Sequence, residues 1–321
     1  TVAGVIYALE KYGTMKLADV IQPAINLAEE GFPLERWTAQ TLASAFRSME
    51  KYESSMKVFS KNGQPYKEGD IFKQPDLAKA LKAIKEKGHD GFYKGWVADA
   101  IVAQSDRMNG IITHKDLEQY RAVEREPLRG TYKDFQIISM GPSSSGGTAL
   151  IQMLNILENF DFERNDFSSS KYYHALIQAM KYAYADRAEH LGDEDFYPVP
   201  KKWLTSKEYA KEIFRKITDK ATPSDEISAG IPFFESDETT HYSVYDQFGN
   251  AVSTTLTINS LYGSKIVVEG AGFLLNNEMD DFSAKPGVPN QFGLLGSVAN
   301  SIEPGKRMLS AMTPTIILKN D

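Results

Sequence analysis

Two alternating segments joined by a short turn, at residues 241–246 and 251–257, constrain this chain more than any other feature. Polar and apolar residues alternate in both, and a turn containing Gly249 separates them, which predicts two antiparallel strands joined as a hairpin. Thr239 stands at the head of the first segment. A Thr in this place becomes a nucleophile if the preceding peptide bond is cut, because its new α-amino group can then serve as the base. On spacing alone an ordinary strand is the simpler explanation, since Thr favours pleated surfaces.

Longer sequence motifs occur along most of the chain. They are Lys11-Tyr-Gly-Thr14, Gly91-Phe-Tyr-Lys-Gly95, Pro142-Ser-Ser-Ser-Gly-Gly147, Tyr182-Ala-Tyr-Ala-Asp-Arg187, Leu274-Leu-Asn-Asn-Glu-Met-Asp-Asp-Phe282 and Pro304-Gly-Lys-Arg-Met-Leu-Ser310. With residues 239–259 they make the chain similar to the bacterial γ-glutamyltranspeptidases (glutathione hydrolases). Several ungapped motifs in one order form a specific signal.

The resemblance implies an α+β fold, namely the four-layer αββα sandwich of the N-terminal nucleophile (Ntn) hydrolases, here incomplete at both ends. It divides the chain into a large-subunit-like portion, residues 1–238, mainly helical, and a small-subunit-like portion, residues 239–321, mainly strands. Together the two portions form one αββα domain. The family's carboxylate-binding arginine is expected before Thr1 and its Gly-Gly oxyanion hole after Asp321, so no residue here is assigned to either.

Local patterns agree with a helical first part. Helices are predicted at residues 5–11, 17–30, 77–87, 92–108, 149–158, 170–191 and 206–216. Strands are predicted at residues 130–140, 264–269 and 312–318, in addition to the hairpin, and strands are expected to dominate after Thr239. Asp76 is predicted to cap the helix that follows it, and Thr113 to begin a further capped helix.

A serine turn at residues 141–147 lies between a predicted strand and a predicted helix. Such a turn suggests the G-x-S-x-G nucleophile elbow, but that motif needs Gly where this chain has Ser145. We therefore predict a structural role for this turn.

The resemblance makes Thr239 the nucleophile and the Glu238–Thr239 bond the site of self-cleavage. The freed amine would have a pKa of about 7.7–8.0, which suits a general base near neutral pH. Thr257 matches the residue that hydrogen-bonds the nucleophile and orients it. Without the resemblance, Thr257 would be an ordinary strand residue on a polar face.

The same resemblance assigns the substrate-binding residues. Asn259, Glu278 and Asp281 match the anchors of the substrate α-amino group, and charged acceptors suit an ammonium. Many bacterial members have Gln in place of Glu278. Ser310 matches the first of two adjacent serines that hold the substrate α-carboxylate. Ala311 replaces the second serine. Loss of this hydroxyl donor would weaken binding of the carboxylate by about 0.5–1.5 kcal/mol.

Residues 286–293 match the lid loop of the members that have one, and Phe292 stands where an aromatic residue often closes over the substrate. A lid excludes water from the reaction. The alternative is an ordinary loop rich in Pro and Gly.

The implied activity is transfer of a γ-glutamyl group from a donor such as glutathione to water or to an amino acid or peptide acceptor. No cofactor and no metal are expected, and the two subunits would come from one precursor by autocatalytic cleavage of a zymogen. The alternatives are a related acylase (a glutaryl-cephalosporin acylase or a poly-γ-glutamate hydrolase or transpeptidase), which Ala311 keeps open, or an unprocessed inactive homologue. Periplasmic or secreted localisation follows from the resemblance only.

Composition excludes several other classes. The formal net charge of −7 argues against nucleic-acid binding. The absence of Cys excludes thiolate catalysis. The sequence has no apolar run of about eighteen residues, which a membrane span requires. It also has no basic-then-apolar leader, so no signal peptide is visible.

Overall fold

A computed structural model describes residues 1–227 and 239–319, which form a mixture of helices and sheets. The helices are α1 Val2–Tyr12, α2 Leu17–Glu30, α3 Arg36–Met49, α4 Glu53–Phe59, α5 Pro75–Lys87, α6 Asp90–Tyr93, α7 Gly95–Arg107, α8 His114–Gln119, α9 Gly146–Leu157, α10 Ser170–His190, α11 Lys201–Leu204 and α12 Lys207–Phe214. The strands are β1 Phe32–Pro33, β2 Ser60–Lys61, β3 Gln64–Pro65, β4 Ile71–Phe72, β5 Leu128–Tyr132, β6 Phe135–Ser139, β7 Thr240–Tyr245, β8 Ala251–Leu256 and β9 Thr315–Lys319. Short 3-10 helices lie at Arg164–Asp166, Ser224–Glu226, Glu278–Asp281 and Val298–Asn300.

The chain divides into two compact units, each built from two segments. The first unit is Thr1–Glu124 with Ile258–Asn277, and the second is Arg125–Thr257 with Glu278–Asp321. This division concerns packing, whereas the subunit boundary expected before residue 239 concerns a predicted backbone cleavage. Within residues 1–227 and 239–319, no helix is both long and apolar enough to cross a membrane.

In the first unit, the returning segment Ile258–Asn277 packs into cores formed by the helices. One core contains Val267 together with Leu34, Leu42, Met49, Phe59 and Phe72. The neighbouring Val268 is buried in a second core, with Ala80, Val97, Ile101 and Ala271. The Ser55 hydroxyl donates to the Lys265 carbonyl at 2.6 Å and accepts from the Val267 N–H at 3.1 Å. This segment is therefore part of the hydrophobic interior of the first unit.

The strand predicted at residues 264–269 is wrong. The segment makes only an isolated bridge between Val267 and Leu274. Two consecutive buried valines do not alternate between two faces as strand residues do, and Gly270 and Gly272 have φ angles of 80° and 75° that turn the chain back. The apolar run reflects burial in two cores and not a strand.

In the second unit, strands β5, β6 and β9 form an antiparallel sheet in the order β5-β6-β9, with α9 next to β5. The helices α9, α10 and α12 share a core that contains Ile156, Ala179, Ala210 and Ile213. Strands β7 and β8 pair as the predicted hairpin. After Thr239 the strands are β7, β8 and β9, and most of the other described residues are turns and loops, so strands do not dominate this part as expected.

Three further predictions need correction at their boundaries. The strand predicted at residues 130–140 is the hairpin of β5 and β6, because Lys133 adopts a φ of 52° in the turn between them. The helix predicted at residues 92–108 is interrupted at Lys94, which is extended, and resumes at Gly95, which has a φ of 63°. Helix α5 begins at Pro75, so Asp76 lies in its first turn and is not its cap. The predicted cap at Thr113 is confirmed, since its hydroxyl accepts from the Asp116 N–H.

Candidate active site

The hairpin of β7 and β8 begins next to Thr239 and ends next to Thr257. The last pair of its ladder is Thr240 with Leu256, and the same register continued by one residue would set Thr239 opposite Thr257. Facing residues of an antiparallel pair have Cβ atoms about 4.5–5.5 Å apart, so in that register the two side chains would be within reach of each other. Glu238, the other residue of the predicted cleavage site, lies outside the described residues.

The turn of the hairpin is fixed by Asp246. Its carboxylate accepts hydrogen bonds from the Asn250 side chain at 2.7 Å and from the backbone N–H groups of Asn250 and Phe248, both at 2.9 Å. These bonds, those from Asn250 first, hold the pKa of Asp246 below its usual range. Gly249 supplies the left-handed conformation that the turn needs, with a φ of 87°. The turn therefore sets the register of the β7–β8 ladder, on which the expected pairing of Thr239 with Thr257 depends.

A polar group of side chains lines the hairpin face on which Thr239 and Thr257 would lie if the ladder continued. The Nδ1 atom of His241 is 2.7 Å from Thr255 Oγ1, and its Nε2 atom is 3.4 Å from Ser243 Oγ. On the same face, Ser253 Oγ accepts a hydrogen bond of 3.0 Å from the Thr315 N–H in β9. The hairpin is thus connected to the sheet of the second unit.

The 3-10 helix Glu278–Asp281 carries two carboxylates that were predicted to bind an ammonium. Both side chains are partly buried. Burial, and then the negative charge of Asp281, raise the pKa of Glu278 to about 7. A cation bound beside the pair would relieve the repulsion between the carboxylates. Across residues 1–227 and 239–319, no group of three or more His, Asp or Glu side chains is arranged to hold a metal ion.

Ser310 is held by the serine turn at residues 141–147. Its N–H donates to the Ser143 carbonyl at 3.0 Å, and its carbonyl accepts from the N–H and the hydroxyl of Ser145, both at 2.8 Å. Its own hydroxyl accepts from the Met312 N–H at 3.1 Å. The turn is buried throughout and has the structural role predicted for it, since it holds the backbone of Ser310.

Arg187, on α10, forms a hydrogen bond to the same turn. The side chain is buried, with 5% of its surface exposed, and its Nε donates to Ser145 Oγ at 3.1 Å. Burial lowers the pKa of Arg187, while its interactions with Tyr184 and with the Asp281 carboxylate oppose this shift. Arg187 therefore contacts the turn that holds Ser310 and is also influenced by the charge of Asp281.

The predicted lid loop, residues 286–293, is folded next to the 3-10 helix of the acidic pair. The Phe292 N–H donates to Asn290 Oδ1 at 3.0 Å, and the Gln291 N–H donates to the Asp280 carboxylate at 3.0 Å. The Phe292 side chain is partly buried. The loop therefore has a defined structure, and its action as a lid stays a prediction.

Asn259 belongs to the first unit. It is buried, its φ is 72°, a conformation that Asn tolerates better than most residues, and its Nδ2 donates to the Asn277 carbonyl at 3.1 Å. The Asn277 side chain in turn bonds the backbone and hydroxyl of Ser260. The predicted role of Asn259 as an ammonium anchor stays a prediction.

Two residues near the candidate site were not assigned from the sequence. Arg187 ends one of the motifs quoted above, but a charged residue in a helical pattern gives no sign that it is buried. Asn300 bonds both the Asp281 carbonyl and the Leu309 N–H through its side chain. Only the tertiary structure brings these partners together, and no local pattern in the sequence indicates it.

Comparisons with known proteins show which family the chain is similar to. A family model described as γ-glutamyltranspeptidase matches residues 1–321. The chain is 50% identical to a glutathione hydrolase proenzyme of Escherichia coli (strain K12), over 100% of this chain and 56% of the relative. The chain thus spans little more than half the length of this curated relative.

Solved structures resemble the chain as well. The crystal structure of Helicobacter pylori γ-glutamyltranspeptidase matches with a TM-score of 0.70 and 47% identity, over 71% of this chain and 66% of that chain. A cephalosporin acylase from Bacillus halodurans matches with a TM-score of 0.85 and 26% identity, over 99% of this chain and 56% of that chain.

Proposed function

Because the chain belongs to the γ-glutamyltranspeptidase family, we propose that the whole protein is a self-processing γ-glutamyltransferase and glutathione hydrolase. The observation that supports the proposal is the register of the β7–β8 hairpin, which, continued by one residue, would set Thr239 opposite Thr257. A hydroxyl nucleophile needs a neighbouring group to orient it, and the facing hydroxyl supplies that group.

Maturation begins when the Thr239 hydroxyl attacks the carbonyl carbon of Glu238. The peptide C–N bond breaks, the nitrogen takes up the hydroxyl proton, and an ester joins Glu238 to the Thr239 side chain. Water then hydrolyses this ester, which leaves a carboxylate on Glu238 and a free amine and hydroxyl on Thr239. That amine, with an ordinary pKa of about 7.7–8.0, is the base for every later turnover.

In turnover the Thr239 hydroxyl attacks the γ-carbonyl of the donor, and its proton passes through the Thr239 amine to the leaving amine. A γ-glutamyl ester forms on Thr239. Water, or the amine of an amino acid or peptide, then attacks this ester and restores the free hydroxyl. The Thr257 hydroxyl orients the nucleophile in both steps.

We assign recognition of the donor to two groups of the second unit. Glu278 and Asp281 bind its α-ammonium, for which two carboxylates are suitable acceptors. Ser310 binds its α-carboxylate through the hydroxyl. Phe292 closes over the bound donor and limits the access of water.

We further propose that the whole protein completes the four-layer αββα sandwich of the Ntn hydrolases. The antiparallel sheet β5-β6-β9 with α9 packed beside β5 would be part of two such layers. Residues 1–238 would belong to the large subunit and residues 239–321 to the small subunit.

A second candidate function is hydrolysis of glutaryl amides, as in a cephalosporin acylase. One observation favours it: the chain is similar in structure to the Bacillus halodurans cephalosporin acylase. A glutaryl group carries the terminal carboxylate but no ammonium, so it would not use the acidic pair.

A comparison of two donors in the full-length protein separates the candidates. We expect kcat/KM for a γ-glutamyl anilide to exceed that for a glutaryl anilide by at least about tenfold, because a charge-assisted hydrogen bond contributes about 1.5–3 kcal/mol. Preference for the glutaryl anilide would favour the acylase. Hydrolysis of neither donor by an uncut chain would indicate an inactive homologue.

Restoring the missing hydroxyl with Ala311→Ser is expected to lower KM for the γ-glutamyl anilide roughly two- to tenfold. Position 311 is exposed and follows Ser310 directly, so a hydroxyl fits there without displacing the buried serine turn. The 4-aminobutanoyl anilide, which lacks the carboxylate, is the internal control and should keep its KM. An equal change for both donors would contradict the assignment of Ser310 and its neighbour to the carboxylate.

A further inference from the structure

We propose that Asn300 is a positioning residue that fixes the separation between the ammonium-binding group and the carboxylate-binding group of the donor site. The inference rests on the proposed function of Asp281 and Ser310. Asn300 is the last residue of the 3-10 helix Val298–Asn300, and only 3% of its surface is exposed.

The side chain of Asn300 joins the backbones of the two binding segments. Its Nδ2 donates to the Asp281 carbonyl at 2.7 Å, and its Oδ1 accepts from the Leu309 N–H at 2.9 Å, one residue before Ser310. Its own carbonyl accepts from the Ser283 N–H at 2.9 Å, two residues after Asp281. One planar amide therefore sets the distance between the segments.

The helix that carries Asn300 is itself fixed to the end of α10. Ser297 Oγ donates to the Glu189 carbonyl at 2.8 Å and accepts from the Ala299 N–H at 3.1 Å. A Cβ added at Gly192 would lie 2.1 Å from the Ala299 carbonyl oxygen, so the two backbones are in close contact. Asn300 thus extends from a rigid support.

Only a residue with both a donor and an acceptor at these positions can make the connection. A carboxylate keeps the acceptor for the Leu309 N–H but loses the donor to the Asp281 carbonyl, and it adds repulsion between two oxygens. Because Asn300 is buried, water does not readily replace a lost bond.

A donor that carries both an ammonium and a carboxylate must reach both groups at once, so it depends on their separation. A donor with only one of these charges can shift to follow whichever group it uses. Loss of positioning should therefore weaken binding of the donor with both charges (the two-ended donor) more than binding of a donor with only one of them (a one-ended donor).

The test uses the full-length processed protein and three anilides: γ-glutamyl with both charges, glutaryl with the carboxylate only, and 4-aminobutanoyl with the ammonium only. In Asn300→Asp we expect KM for the γ-glutamyl anilide to rise about tenfold with kcat within about twofold. KM for either one-ended anilide should change by no more than about threefold. Asn300→Ser also loses the side-chain hydrogen bonds to both segments and should give the same pattern of KM changes. If Asn300→Asp does not fold, Asn300→Ser is sufficient for the test.

Asn155→Asp is the matched control. Asn155 lies in the same unit, is 1% exposed, and donates through Nδ2 to the Thr205 carbonyl at 2.8 Å, so this change removes a buried donor of the same kind. We expect it to lower Tm while all three KM values stay unchanged.

Two results would overturn the inference and have different meanings. Asn300 variants with unchanged KM, or with equal losses for all three donors, would refute positioning by Asn300 while the parent protein still prefers the γ-glutamyl anilide. A parent protein with no preference for the two-ended donor would refute the proposed function, and the positioning role with it.

Discussion

The Thr239→Ala variant of the full-length protein is expected to remain one uncut chain and to lose donor hydrolysis by at least about four orders of magnitude. The change removes the only oxygen that attacks both the precursor carbonyl and the donor carbonyl in the proposed mechanism. Intact mass and N-terminal sequencing report the cleavage, and kcat/KM for the γ-glutamyl anilide reports the turnover.

Two controls accompany this variant. Thr239→Ser keeps a hydroxyl and should still be cut, more slowly, into two pieces of which the second begins with Ser at position 239. Thr240→Ala changes the adjacent residue, which points to the other face of the hairpin, and should be cut and turn over like the parent. Activity retained in Thr239→Ala would show that another residue is the nucleophile.

The KM for the γ-glutamyl anilide is expected to rise as pH falls below 7. The pKa of Glu278 is raised to about 7 by burial and by the charge of Asp281, so its carboxylate is present above that pH and is lost below it. KM should rise by up to about tenfold per pH unit. The total increase in KM should level off at roughly ten- to a hundredfold. This factor corresponds to the binding free energy of one charge-assisted hydrogen bond.

Two comparisons separate the effect of Glu278 titration on KM from the effects of other titrating groups. In Glu278→Gln, KM for the γ-glutamyl anilide should change by less than about twofold between pH 5.5 and pH 8, because the side chain no longer titrates. The glutaryl anilide has no ammonium and should show a flat KM in the parent. Titration of the Thr239 amine would appear in kcat for both donors. An equal rise of KM in the parent and in Glu278→Gln would remove Glu278 from the ammonium site.

Predictions of secondary structure were most accurate where they depended on a local sequence pattern. Residues 17–30 form a helix with the predicted bounds, because apolar spacing and Gly31 both act within a few residues. The β7–β8 hairpin was predicted from alternation and from its turn, and its register follows from that turn. Lys133 shows the limit of this approach, since a non-glycine residue in a left-handed turn leaves no clear signal.

Contacts between distant segments were not predictable from local patterns. Val267 and Val268 were interpreted as strand residues because burial in two separate cores produces the same apolar run. Asn300 lies 19 residues from Asp281 and 9 from Leu309, and nothing in its sequence neighbourhood indicates that one amide bonds both. The resemblance to known proteins gave candidate residues that touch the substrate, whereas the residues that hold them required the structure.

The segment Ile258–Asn277 belongs to the first unit, although the chain on both sides of it belongs to the second. Cleavage before Thr239 would leave a shorter piece that supplies Val267 and Val268 to the cores of the first unit and β9 to the sheet of the second. Both units would then be built from both pieces, so the pieces could not separate without exposing apolar surface in each unit. Dissociation of the subunits would therefore be coupled to unfolding of each unit, although the backbone of the nicked protein is broken.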